Sequence, residues 1–234
     1  MLRVEFIGLP GAGKTTLASL AAARLQARGL TVLTRDHLLA DGRSVLVRHV
    51  LRARFVVLGM LRQPGPFLWA LRLIRQDGQP GILSVAKVAW NIWCVLGLYL
   101  WLSRSPRGIA ILDQGLIQAI WSVRLAARGA AADWSAFLDG VGMIDGVLIA
   151  KCDQERAVSR LRVRANQASR LNAVTGDDPL WRRGSEAFEQ ACIDAARVAP
   201  VLCIDNRDAG ELEHAVERVT AWIGSLLQEA RRGA

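Results

Sequence analysis

The chain has 234 residues, of which 52% are hydrophobic, enough to bury a substantial core, and no flexible linker divides it into two folded halves. Lys plus Arg total 30 against 21 Asp plus Glu, a formal charge of +9 that is nearly all Arg, since Lys occurs only at 14, 87 and 151. Arginine forks suit phosphate groups, but a compositional bias toward Arg and Ala produces the same excess, so charge alone names no partner.

The first apolar run, Leu2–Ile7, is strand-like and leads directly into G-L-P-G-A-G-K-T-T at Gly8–Thr16. This is a complete G-x-x-x-x-G-K-[ST] phosphate loop, followed by the helix-forming run Leu17–Arg28. Gly8, Gly11 and Gly13 let successive backbone N–H groups turn inward around a polyphosphate, with Pro10, Ala12 and Thr16 completing the cradle. Lys14 supplies a mobile charge for the β- and γ-phosphates of ATP, Thr15 a hydroxyl for Mg²⁺, and the new helix its positive dipole end.

A second strand, Leu30–Thr34, ends in Arg35-Asp36-His37. Asp36 at its tip is placed to orient an acceptor or take its proton; a cap, or a surface pair with Arg35, accounts for it equally well. The segment from Leu38 to Arg107 is too long for one crossover helix and lacks strand alternation, so it reads as a helical insertion on the acceptor side. Within it Arg43, Arg48 and Arg52 recur at helical spacing, Gln63-Pro64-Gly65-Pro66 breaks the pattern before Phe67–Arg75, and Ile82–Leu102 follows a second break at Gly78–Gly81. Val88–Ser103 carries no charge, yet Lys87, Asn91 and Arg104 hold the run below the roughly 20 apolar residues of a membrane span. Three readings remain for this helix: a buried or substrate-covering element, an interfacial membrane contact, or a span.

Gly108–Leu112 forms a third strand ending in Asp113-Gln114-Gly115. A carboxylate there reaches the Mg²⁺ shell of a nucleotide on the phosphate loop, a helix cap being the plainer alternative. Helical pattern then covers Leu116–Arg128 and Trp134–Leu138, Ile144–Ala150 is a fourth strand, and Asp153 is a candidate N-cap for a helix running through Arg164. Arg156, Arg160 and Arg164 share one face of that helix, and with Arg170 they suit an arginine-rich lid at about 153–172, although a solvated helix face is the ordinary meaning of such a run. Val201–Ile204 is a fifth strand before a closing amphipathic helix, Asp208–Gln228. Strand and helix alternate in the manner of a three-layer α/β fold with a five-stranded parallel sheet, whose ligands sit at the strands' carboxyl ends, where Gly8, Asp36 and Asp113 all fall.

Cys94, Cys152, Cys192 and Cys203 form no C-x-x-C pair and are expected to be reduced and buried; without signal architecture at the amino terminus, the expected location is cytoplasmic. No zinc-site spacing and no Ser-His-Asp order is present. Trp90, Trp93 and Trp101 could build an apolar slot, but core packing explains them as well.

In order, the phosphate loop, T-R-D at Thr34–Asp36, D-Q-G at Asp113 and A-x-x-R-x-x-x-R at Ala157, Arg160 and Arg164 resemble the thymidylate kinase branch of the nucleoside and nucleotide monophosphate kinases. The resemblance covers nearly the whole chain. It implies one phosphate-loop NTPase-type domain, 1–234, with ATP and Mg²⁺ and a small-molecule phosphoryl acceptor. The implied catalytic set is Lys14, Asp36, Asp113, Arg160 and Arg164; Gly8, Pro10, Gly11, Ala12, Gly13, Lys14, Thr15, Thr16 and Arg170 hold the nucleotide, and Thr15 and Asp113 the metal. Gln114 stands where the family places an arginine, and nothing between Leu38 and Arg107 aligns with a thymidine pocket. Nucleic acid is not an expected partner; a homodimer and peripheral membrane contact through the apolar insertion stay open, as does a nucleotide-dependent switch in place of a kinase.

Overall fold

Along β1 (Leu2–Gly8), Leu2, Val4 and Phe6 join one hydrophobic core and Ile7 the other, so this strand is buried on both faces and belongs at the centre of a sheet. A computed structural model, which describes residues 1–35, 38, 44–105, 107–129, 132–163, 178–206 and 211–232, places it there. The remaining strands are β2 (Val32–Thr34), β3 (Ile109–Leu112), β4 (Gly146–Lys151) and β5 (Val201–Asp205). All pair in parallel in the order β2-β3-β1-β4-β5, with Val4 in register with Ile111 on one side and Gly146 on the other. β3 therefore lies next to β1, which brings Asp113 beside the phosphate loop.

One face of the sheet is covered by α1 (Lys14–Ala27) and α9 (Leu212–Arg232), linked at the surface by an Arg24–Glu213 ion pair. The other is covered by α5 (Leu116–Ala126), α6 (Trp134–Val141), α7 (Gln154–Val163) and α8 (Pro179–Val198). The insertion, α2 (Val45–Arg62), α3 (Pro64–Gln76) and α4 (Ile82–Leu102), packs onto this second face. The result is the expected three-layer α/β architecture.

Two strands begin later than their apolar runs, each for a local reason. Leu30 belongs to the end of α1: its N–H reaches the Leu25 carbonyl at 3.2 Å around Gly29, whose φ of 78° suits glycine. Asp145 turns out of β4 to bind Arg3, accepting from its backbone N–H at 2.7 Å and from its guanidinium at 2.8 and 2.9 Å. No expectation covers α8, although Asp178 caps it by accepting from the Leu180 N–H at 2.7 Å and Pro179 opens it. Its buried face is fixed by Trp121, whose indole donates to the Gly184 carbonyl at 2.9 Å, and by an Arg124–Asp194 ion pair at 2.6 Å.

In α4, half of the apolar window, with a mean hydropathy of 1.5, is buried within the protein. Gly97 makes close packing possible, because a Cβ there would lie 2.2 Å from the Phe55 carbonyl of α2. Of the tryptophans in this helix, Trp93 donates to the Phe67 carbonyl at 3.1 Å and Trp101 meets Phe55 edge-on at 5.9 Å. The cysteines are free, and burial pushes the Cys94 and Cys192 thiols up to about 11. The expectation of burial holds for Cys94 alone: Cys152 and Cys192 are half-buried, and Cys203 is exposed, because β5 is an edge strand whose Val201–Cys203–Asp205 side is only partly covered.

Candidate functional site

Because every strand runs the same way, the ends of β1, β2 and β3 deliver Gly8, Arg35 and Asp113 to one edge of the sheet. The loop between β1 and α1 is held in shape by left-handed glycines, Gly11 at φ 87° and Gly13 at φ 81°. Substitution is barred by sterics as well: a Cβ on Gly11 would lie 2.4 Å from the Ala157 carbonyl, and one on Gly13 would lie 2.1 Å from Asn206 Nδ2. Gly13 caps α1 without a side-chain hydrogen bond, so the helix start offers amides and a positive dipole end to an anion.

The outward carbonyls of the loop are tied down. Asn206 Nδ2 donates to the Ala12 carbonyl at 2.9 Å, and Arg160 Nη1 to the Gly11 carbonyl at 3.4 Å. Arg160 Nη2 also donates to the Asn206 carbonyl at 3.4 Å, while the Gly8 N–H donates to Gln118 Oε1 at 3.1 Å. Since a trans peptide points its carbonyl and the following N–H in opposite directions, a carbonyl of Ala12 turned out to Asn206 turns the N–H of Gly13 inward.

The sequence-predicted pair at the metal position is brought together. Thr15 Oγ1 donates to Asp113 Oδ2 at 2.8 Å, one residue from Lys14. A Mg²⁺ ion takes few protein ligands and keeps its other positions for water and phosphate oxygens, so one hydroxyl and one carboxylate at this separation fit it. Among the described residues no group of three or more His, Cys, Asp or Glu side chains could hold a metal, and a site of this type needs none. Arg35 Nη1 lies 3.8 Å from Asp113 Oδ1, so a cation from the end of β2 stands close to this carboxylate.

Arg160 is on α7, against the flank of the loop, while Arg156 lies 4.0 Å from Asp153 at the exposed start of the same helix. Pro10 and Ala12 are buried in the loop, and Thr16 is exposed on the first turn of α1. Asp36, Arg164 and Arg170 lie outside the described residues. A cavity of about 720 Å³ opens at the opposite, amino-terminal edge of the sheet, lined by Met1, Gly108, Asp145, Pro200 and Leu226. It lacks the loop and sits at the wrong strand ends for this chemistry.

Below the loop lies a polar chain that sequence reasoning missed. Glu5, fully buried on β1, accepts from the Gln118 N–H at 2.9 Å and from the Tyr99 hydroxyl at 3.1 Å. Desolvation pushes its carboxyl up to about 7, against the pull of those same hydrogen bonds. Gly115 of the D-Q-G run is explained here, since a Cβ would lie 2.3 Å from the Glu5 carboxyl carbon. A glutamate in the middle of the strand run, between Val4 and Phe6, was the available signal for Glu5; Gln118 and Asn206 had none.

No protein-family model and no curated protein sequence matches the chain. Among solved structures it resembles deoxyadenosine kinase from M. mycoides with bound dCTP, at 12% identity and a TM-score of 0.52 over 96% of this chain and 100% of that one. It also resembles thymidylate kinase from Ehrlichia chaffeensis, at 14% identity and a TM-score of 0.51 over 95% and 98%. The chain has the fold of these phosphate-loop kinases.

Proposed function

We propose that the chain is an ATP- and Mg²⁺-dependent phosphotransferase that moves the γ-phosphoryl group of ATP to a nucleotide or nucleoside in the cytoplasm. The observation that carries this reading is the 2.8 Å contact between Thr15 and Asp113 at the start of α1, directly beside Lys14. It joins a triphosphate cradle to a metal position in one place. The shared fold of two nucleoside and nucleotide kinases supports it.

In this mechanism the loop amides and Lys14 hold the β- and γ-phosphates, and Thr15 and Asp113 hold Mg²⁺. When bound, the metal neutralises charge on the phosphate oxygens. Transfer breaks the bond between the γ-phosphorus and the β-bridging oxygen and forms one to the acceptor oxygen. Asp36 aligns the acceptor and takes its proton where it is a hydroxyl, Arg164 and Arg170 supply positive charge to the transferring group, and Arg160 holds the loop from its outer side through the Gly11 carbonyl. Arg35, at the end of β2, adds a cation on the acceptor side. Catalysis is then mostly positioning and electrostatics.

A coupled ADP-release assay over nucleosides, nucleotides and sugars, with ATP alone as the blank, tests the proposal. Release that depends on one nucleoside or nucleotide supports it. Release equal to the blank with every acceptor removes the kinase reading and leaves an ATPase.

A further inference from the structure

Helix α2 packs along α4 by one side only: Val56 and Gly59 are buried there, with Phe55 and Met60 half-buried against the core. Its outer side is not polar. Leu46, Val50, Val57 and Leu61 are 74%, 59%, 53% and 77% exposed. Their spacing of 4, 7 and 4 residues places them within about 60° of the helix circumference, so they form one continuous stripe. A soluble surface has no use for such a stripe.

The charges around it are one-sided. Residues 44–105 contain eight Lys or Arg and a single acid, Asp77. That acid is buried and spent on the Ala132 N–H at 2.8 Å and the Trp134 indole at 2.7 Å. Arg54, Arg62, Arg72, Arg75, Lys87 and Arg104 are exposed. Arg62 and Arg104 share a groove between α2 and α4 with Phe55, Leu58 and Trp101. Ile82 and Leu83, at the start of α4, are almost fully exposed.

We propose that the α2 stripe docks the protein on an anionic phospholipid bilayer, lying in the interface with its leucines and valines among the acyl chains and the surrounding cations at the headgroups. An exposed apolar helix face on a segment whose exposed charges are all cations is the chemistry such a surface selects. A second copy of the chain fits less well, because a two-fold pairing of this face sets cation against cation with no exposed acid in residues 44–105 to answer them. α4 is long and apolar enough to cross a membrane, but half of its window is buried within the protein and Tyr99 is bonded to Glu5 of the central strand, so it serves the core and leaves the bilayer contact to α2. Docking is independent of whether phosphate is transferred.

The test is flotation of the full chain with phosphatidylcholine vesicles, with and without phosphatidylserine. Binding is expected only to the anionic vesicles and is weakened by salt. Arg54→Gln and Arg62→Gln should each weaken it about fivefold. The double variant Leu46→Gln/Leu61→Gln should weaken it roughly a hundredfold. Both leucines are exposed, so circular dichroism and the melting midpoint should stay at the wild-type values. No flotation with anionic vesicles at low salt overturns the proposal. So does equal flotation with neutral vesicles that is indifferent to Arg54, or a wild-type dimer that sediments as a monomer once both leucines are changed.

Discussion

The substitution Glu5→Gln should change how stability depends on pH more than it changes stability itself. The carboxyl sits at about 7 in the folded chain against an ordinary 4.5, because burial disfavours its charge. The folded state thus holds this proton more tightly than the unfolded state does. Stability from this group is fully present below about 4.5 and is lost as pH rises through about 7. At about 1.4 kcal/mol for each tenfold change in proton affinity, the difference amounts to roughly 3 kcal/mol. The carboxamide side chain imitates the neutral carboxyl, with its carbonyl toward the Gln118 N–H and its amino group toward the Tyr99 oxygen. Wild type and variant should be similar near pH 5, and the variant more stable by roughly 3 kcal/mol near pH 8, on the order of 6–12 °C in melting midpoint. Urea unfolding of both proteins across that range gives the difference, in which contributions common to the two proteins cancel. A difference that stays flat from pH 5 to pH 8 would show that Glu5 is ionised and fully compensated, and would refute the reasoning.

Lys14→Ala should lower ATP-dependent transfer by at least about a thousandfold while the melting midpoint holds, since the residue acts on phosphate and not on packing; near-normal ADP release would take the loop out of the mechanism. Asp113→Asn should keep the hydrogen bond from Thr15 but lose the anion, so calorimetry should show weaker Mg²⁺-dependent ATP binding with Mg²⁺-free binding little changed. Gly11→Ala should cost about 1–3 kcal/mol through its positive φ and its clash with Ala157, read by urea unfolding, and unchanged stability would disprove the packing of α7 on the loop. Asn206→Ala frees the Ala12 carbonyl and should raise the apparent Kd for ATP about tenfold, an amount that matches one buried hydrogen bond.

The phosphate loop was legible because its chemistry lies within nine consecutive residues, and the place of Asp113 at the sheet's carboxyl edge because the apolar run Gly108–Leu112 ends immediately before it. The parallel sheet followed from alternation, and its carboxyl edge from that. The parts that hold the loop in place were not legible. Glu5 meets the Gln118 backbone across 113 positions, the Gly8 N–H meets Gln118 across 110, and Asn206 meets Ala12 across 194. Such pairs are chosen by topology, which composition and periodicity do not encode. α8 went unseen for a different reason: its buried face, built from Trp181, Gly184, Ala187, Phe188 and Ala191, is strongly amphipathic and Asp178-Pro179 opens it, so the signal was present in the sequence and was passed over. Cys203 was misread because an apolar run does not reveal whether its strand ends up at the rim.

The Tyr99–Glu5–Gln118 chain makes the three-helix insertion a poor candidate for modular exchange. Excising it to graft a different recognition unit onto the scaffold would strip a hydroxyl from a buried carboxyl beneath the nucleotide cradle, and would uncover the face of the sheet that α4 roofs. A hybrid would have to bring its own donor to Glu5 or change that residue in the same step. What resembles a detachable cassette in the linear chain is, in three dimensions, part of the floor under the phosphates.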